Sequence, residues 1–371
     1  MPPSSLWRHM AVPLFDTNTP LAPLRAALNA KAADVLDAGR YILGPEVSAF
    51  EEELAAHLGA PHAIGVANGT DALVLALRAM GVGPGDDVVV PSFTFYASAE
   101  AIAVIGANPV FCDIDPATFC VTPETVRAAL TPNTKVVMVV HLFGNIAPVA
   151  AIAALGVPVL EDAAQAAGSR TADGRRAGTL GAAATFSFFP SKNLGAFGDG
   201  GAVATGDDAI AERVRMLRFH GSRDKVSFEL VGHNSRLDEL QAALLRIELP
   251  HLDAWCDGRR AGAAHYADAG LGELAALPRP VDGCDPAWHL YVIRHERPDA
   301  LEAAFTARGV GCKRYYTVPL HRQAAMRPWG DVELPGTDEA ARTHIAIPMS
   351  PVLTRAQAGE VVAAVRDADL G

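Results

Sequence analysis

Lys192 stands between an apolar run and a cluster of glycines, in Phe186-Ser-Phe-Phe-Pro-Ser-Lys-Asn-Leu-Gly-Ala-Phe-Gly-Asp-Gly-Gly-Ala-Val203. A lysine held away from water has a lowered pKa, and its neutral amine is the nucleophile that Schiff-base chemistry requires. An exposed loop lysine would suit the same local sequence, so the partners have to come from elsewhere in the chain. Residues 182–189 read as a short buried strand, ended by Pro190, which lacks a backbone donor, so Lys192 falls just past a strand end. Gly195, Gly198, Gly200 and Gly201 follow. They leave the backbone free to take positive φ or to approach another segment closely. They do not spell G-x-G-x-x-G, since Val203 takes the third glycine place, and no G-x-x-x-x-G-K-[ST] occurs.

The elements that must position this lysine alternate in type. Helical spacing over 21–38 and 47–58, with Gly59 placed as a cap, precedes strand 62–66, helix 70–80, strand 87–91, helix 97–105, strand 108–112, helix 123–130, strand 135–141, helix 148–155 and strand 157–161. Strand 201–205 and helix 207–219 continue the series, and Asn234 is a candidate cap for a long helix. Such alternation predicts an α/β layer structure around a largely parallel sheet. Runs such as Val136-Val-Met-Val-Val140 are apolar throughout, as expected of strands covered on both faces. Ligand-binding groups in these sheets collect at the carboxyl ends of the strands. One such end, Ala67-Asn-Gly-Thr-Asp71, leads straight into a helix and could seat a phosphate on free N–H groups, although Thr70 as a plain N-cap accounts for the same residues. Beyond about Leu249 the pattern changes to helix 253–269, strand 288–294, helix 298–308 and helix 354–368. The expectation is a large domain over 1–249 and a smaller C-terminal α+β domain over 250–371, joined by a helical linker.

The 371 residues carry 31 basic and 42 acidic side chains, a net charge of −11 that disfavours nucleic acid as a partner. Five cysteines are widely spaced and form no C-x-x-C, consistent with reduced thiols, and no metal site is expected. No apolar run approaches the ~20 residues of a membrane span, and Met1-Pro-Pro-Ser-Ser-Leu-Trp-Arg-His9 lacks an apolar signal core, so a cytoplasmic location is expected.

Four motifs resemble those of the DegT-type nucleotide-sugar aminotransferases, which are fold-type I pyridoxal phosphate enzymes. They are Ala67-Asn-Gly-Thr-Asp-Ala-Leu73, Glu161-Asp-Ala-Ala-Gln165, Phe186-Ser-Phe-Phe-Pro-Ser-Lys-Asn-Leu-Gly195 and Gly232-His-Asn-Ser-Arg-Leu-Asp238, and the match runs in order from about Val12 to the C-terminus. The resemblance implies that Lys192 carries pyridoxal 5'-phosphate, that Gly69, Thr70 and Ser187 hold its phosphate, and that Phe95 stacks on its ring. It further implies that Asp162 pairs with the ring nitrogen, that Gln165 bonds the phenolic oxygen, and that Asn234 reaches the phosphate of a neighbouring subunit in a homodimer with shared sites. Read by themselves, Phe95 is more often a core aromatic and Ser187 a hydroxyl satisfying a nearby carbonyl, and Asp162 could be an ordinary strand-to-helix cap.

Arg314-Tyr-Tyr-Thr-Val-Pro-Leu-His-Arg-Gln323 resembles the family's Tyr-Tyr-Pro-x-Pro-Leu-His segment beside the sugar, with Thr317 in place of the usual proline. Tyr316 and His321 are therefore candidate substrate contacts. Arg236 and Arg314 could meet a uronic acid carboxylate, or serve as surface ion pairs. The segment looks more like that of 3-aminotransferases than the His-Tyr-Ile-Pro-Val-His form of 4-aminotransferases. The implied activity is transamination of a keto sugar nucleotide, 3-keto by this segment, with glutamate as donor. A keto-cyclitol aminotransferase and a non-catalytic regulatory module that binds the cofactor are the alternatives. Relatives acting as dehydratases carry histidine at the lysine position, and Lys192 argues against that reaction.

Overall fold

The computed structural model describes residues 11–370, so the Met1–His9 stretch lies outside the described residues. Its centre is a seven-stranded sheet. The strands in chain order are β1 (His62–Val66), β2 (Asp87–Pro91), β3 (Asn108–Cys112), β4 (Thr134–Val140), β5 (Val159–Asp162), the two-residue β6 (Arg170–Thr171), β7 (Ala183–Ser187) and β8 (Gly201–Thr205). All but β6 join the sheet, in the order β1-β8-β7-β5-β4-β2-β3. The expected parallel sheet is present from β7 to β3, whereas β8 runs antiparallel to both neighbours. The return from β7 runs through the glycine-rich loop of residues 188–200, which holds no helix to carry the chain across the sheet as a parallel pair usually needs, and β8 comes back antiparallel. Strands β1, β2, β4, β5 and β7 therefore end at one edge, where β8 begins.

Helices cover both faces. Helix Gly69–Ala79 buries Leu73, Val74, Leu75 and Leu77, and helix Pro45–Leu58 buries Val47, Phe50, Leu54 and Leu58. The latter stops at Gly59, whose φ of 76° is the left-handed cap expected of it. Its amino end is closed by a carboxylate remote in sequence: Glu239 accepts hydrogen bonds from the Gly44, Val47 and Glu46 amides at 2.7, 2.9 and 2.9 Å.

The long helix expected from Asn234 begins only at Glu239, with Asp238 as its cap, accepting from the Gln241 amide at 2.8 Å. Asn234 is instead held extended by an isolated antiparallel bridge to Phe219. From Glu239 the chain is almost continuously helical, through Glu239–Glu248, a 3-10 turn at Leu249–His251 and Leu252–Asp268. Beyond it lie β9 (Cys284–Asp285), which pairs with β6, and the antiparallel pair β10 (Tyr291–Arg294) and β11 (His344–Ile347). A strap before the first helix joins this C-terminal part to the large one. Gly311 donates to the Val12 carbonyl at 2.8 Å, Met349 donates to that of Leu14 at 3.1 Å, and Phe15 stacks on His289. Among the described residues no helix is long and apolar enough to cross a membrane.

Candidate active site

At the sheet edge, β1 runs into Ala67-Asn68 and then helix Gly69–Ala79. Asn68, not Thr70, is the cap: its Oδ1 accepts from the Asp71 amide at 2.8 Å. That leaves the Gly69 and Thr70 amides as the open donors of the first turn, at the positive end of the helix. The glycines make this place tight. A Cβ on Gly69 would lie 2.7 Å from Ser187 Cβ, and one on Gly201 would lie 2.5 Å from the Asn68 carbonyl. Helix start, β7 end and β8 start are thus pressed into one concave cradle. Ser235 fastens it from below, its Oγ accepting from the Ala67 amide at 3.2 Å.

Two residues past the end of β7, Phe189 accepts from the Lys192 amide at 2.8 Å in a turn, and a Cβ on Gly195 would meet the Pro190 carbonyl at 2.6 Å, so only glycine lets the loop double back. Among the described residues the Lys192 ammonium has neither a hydrogen-bond acceptor nor an ion-pair partner. Burial draws its pKa down to about 8, with the charge of Asp162 acting the other way. Asp162, last in β5, is buried, and burial raises its pKa. The Ser98 hydroxyl at 2.8 Å, the Ala164 amide at 3.2 Å and the charges of Lys192 and His141 oppose that rise. The Asp162 bond to Ala164 keeps part of its expected capping role, but burial and the Ser98 hydroxyl make it more than a cap.

Successive side chains of β5 point to opposite faces. Next to Asp162, the buried Glu161 accepts from the Gly178, Leu180 and Gly181 amides at 2.7–2.8 Å and meets the buried His141 Nε2 at 2.8 Å. One carboxylate organises the loop behind the sheet while its neighbour faces the cleft.

Gln165 Oε1 accepts from the Phe143 amide at 2.7 Å and its Nε2 donates to the Tyr316 hydroxyl at 3.2 Å. Tyr316 sits at φ 61°, its ring parallel to that of Phe143 and edge-on to Phe93. Phe95 is 59% exposed, so it is an open ring and not a core aromatic. His321 lies apart. It is buried, Nδ1 to Ser92 Oγ at 2.7 Å and Nε2 accepting from Arg322 at 3.2 Å, so it anchors the 314–323 segment to the end of β2. Arg236 lies over the Phe219 ring at 6.0 Å, and Asn234 is exposed with no side-chain hydrogen bond among the described residues. Arg314 is taken up by Asp299 and by the Ala341 and Arg342 carbonyls.

Residues 24–366 match the model of the DegT/DnrJ/EryC1/StrS aminotransferase family. The chain belongs to that family. It is 47% identical over 364 residues to the dTDP-3-amino-3,4,6-trideoxy-alpha-D-glucose transaminase of Streptomyces venezuelae, covering 96% of each chain. It is 44% identical over 362 residues to a pleiotropic regulatory protein of Geobacillus stearothermophilus, covering 95% of this chain and 97% of the relative. The crystal structure of S. venezuelae DesV in complex with a ketimine intermediate superposes with a TM-score of 0.92 at 47% identity, over 96% of this chain and 98% of that one.

DegT-family aminotransferases depend on pyridoxal phosphate. The residues present fit that group: a cradle without Cβ atoms beneath two open amides, a buried carboxyl on the neighbouring strand end, and a lysine whose amine is drawn toward neutrality. Sequence reasoning passes over Ser98, which holds Asp162, and Glu239, Ser235 and His141. No signal in the sequence marks Ser98, a serine at a helix start that gains its role only when the fold sets its hydroxyl against Asp162.

Proposed function

We propose that this protein transfers an amino group from glutamate to C3 of a keto sugar carried on a nucleoside diphosphate, in the cytoplasm and as a homodimer. The observation that carries the reading is the Lys192 amine, unpaired and drawn down to about 8 beside the buried Asp162. Bound pyridoxal phosphate supplies the electron sink that makes an amino-acid α-proton removable. Lys192 Nζ is the group that holds this carbon-bound proton in transit, because burial leaves a useful fraction of neutral amine near pH 7. Asp162, fixed by Ser98, would keep the ring nitrogen protonated. The Gly69 and Thr70 amides and the Ser187 hydroxyl would hold the phosphate, Phe95 would cover the ring, and Gln165 would turn from Tyr316 toward the phenolic oxygen. Asn234, exposed and unbonded, would complete the phosphate seat of a second copy. Tyr316 and Arg236 remain the sugar-side groups, whereas His321 supports the Tyr316 segment from behind.

The C3 assignment rests on Tyr315-Tyr316-Thr-Val-Pro-Leu-His321 and on the S. venezuelae relative, itself named for a 3-amino sugar. C3 and C4 substrates present different ring edges to one fixed lysine, and a buried polar group left unpaired by the wrong isomer costs about 1–3 kcal/mol. The test is mass spectrometry of products after incubation with glutamate and a panel of 3-keto and 4-keto nucleotide sugars, the 3-keto forms generated in place. Amination of 4-keto sugars alone would refute C3. The Geobacillus relative's name favours a regulatory role as a second reading. No amination of any keto sugar or keto-cyclitol by cofactor-loaded protein would favour that role.

A further inference from the structure

A cavity of about 40 Å³ lies against Lys192. Asp16 and Thr17 of the strap, Lys192 and Asn193 of the loop, Glu248 at the end of its helix and Arg259 of the next helix line it. Three of these side chains have buried polar atoms without a partner among the described residues: Asn193 Oδ1, Glu248 Oε1 and Arg259 Nε. Arg259 is 5% exposed, and its Nη1 donates to the Trp288 and His289 carbonyls at 3.3 Å. Among the described residues the only other buried arginine, Arg218, is paired with Glu51, whereas no carboxylate meets Arg259. Glu248 lines the same cavity and forms no ion pair with it.

A buried guanidinium without a counter-charge is costly unless an anion completes it, and a planar carboxylate matches its donor geometry best. Burial also pushes the Glu248 carboxyl up to about 8, so near neutral pH it is an O–H donor rather than a repelling charge. A carboxylate placed here meets a cation and a neutral acid, next to the lysine that handles protons.

We propose that this cavity receives the carboxylate of the amino donor, with Arg259 as the charge that binds it. The inference rests on the transamination reading and adds to it a donor subsite distinct from the sugar-side groups Tyr316 and Arg236.

The two half-reactions separate the possibilities. With pyridoxal phosphate-loaded enzyme, single-turnover absorbance changes are followed once with glutamate and once with a 3-amino nucleotide sugar whose sugar bears no carboxylate. Arg259→Gln should weaken apparent glutamate affinity roughly ten- to hundredfold while shifting the amino-sugar half-reaction far less. Arg259→Lys, which keeps the charge and loses the fork, should fall between. A readout free of turnover is glutarate, a dicarboxylate with no amino group: it should perturb the fluorescence of Trp255, which also lines the cavity, in the parent protein but not in Arg259→Gln, and the change should vanish in Trp255→Phe. Equal losses in both half-reactions would assign Arg259 to scaffolding, unchanged glutamate affinity would leave the cavity to ordered water, and undiminished glutarate binding in Arg259→Gln would place the carboxylate elsewhere. Each of these overturns the proposal. A parent enzyme that reacts with neither glutamate nor any amino sugar would overturn the transamination reading and this inference with it.

Discussion

Lys192 is a group whose reactivity burial sets. Its pKa in the cofactor-free protein lies near 8. The rate at which pyridoxal phosphate attaches should therefore rise about tenfold per pH unit below that value and level off above it. Stopped-flow absorbance across pH 6.5–9.5 checks this, and borohydride reduction followed by peptide mapping should place the label on Lys192; a label elsewhere would reassign the carrier. Gly69→Ala should loosen cofactor binding by roughly 1–3 kcal/mol, since the new methyl enters the space of Ser187 Cβ. Equilibrium dialysis of the cofactor measures it. Lys192, Asp162 and the Gly69–Thr70 turn are legible because each follows an apolar run that ends abruptly. Ser98 is not, since a serine on a helix signals nothing until the fold sets it 2.8 Å from Asp162. His321 reads as a sugar contact from its motif, and only the folded segment shows it bonded to Ser92.

Among the elements, helices are legible to within a few residues where apolar periodicity and a terminal glycine or proline agree, as at Pro45–Leu58. The helix start near Asn234 is misplaced by sequence because three polar residues, Asn234, Ser235 and Asp238, compete as caps, and the bridge to Phe219 decides against the first. Strand β11, four residues long, carries too little pattern to find. Glu239→Gln should lower stability by roughly 1–3 kcal/mol, because the two carboxyl oxygens of one side chain serve three amides at the start of another helix. A thermal melt at pH 7 with a shift of a few degrees would agree. Glu248 gives a signed pH effect. Native protein keeps this carboxyl protonated up to about 8, whereas an exposed one ionises near 4.5. Between those values the unfolded chain binds fewer protons, so this group lowers stability as pH rises through the window. Glu248→Gln should remove that slope, gaining roughly 2–4 kcal/mol on the parent between pH 5 and 8.5. Parallel denaturant titrations at the two pH values would show the gap unchanged if the carboxyl is in fact solvated.

For the molecule as a whole, Asn234 makes the prediction that one chain is incomplete. Lys192→Ala and Asn234→Ala proteins, each inactive or impaired alone, should recover part of the activity when mixed under conditions of subunit exchange. Absence of recovery with exchange verified by native mass spectrometry would mean that each chain builds its own site. The α/β class is legible from the alternation of elements. The tie between Val12 and Val310 is not, because an extended strap of a few residues has no periodicity of its own.

That strap sets an order of events during synthesis. Val12 and Leu14 bond to Gly311 and Met349, residues made long after them. At about 5–20 residues per second the strap waits on the order of 15–60 s for those partners to be made, while the sheet between can already form. Asp16 and Thr17 belong to the same strap, so the wall they give the Lys192 cavity closes only when the C-terminal part has docked. A nascent chain stalled before that point should therefore display its lysine to small amine-reactive probes in a way the finished protein does not.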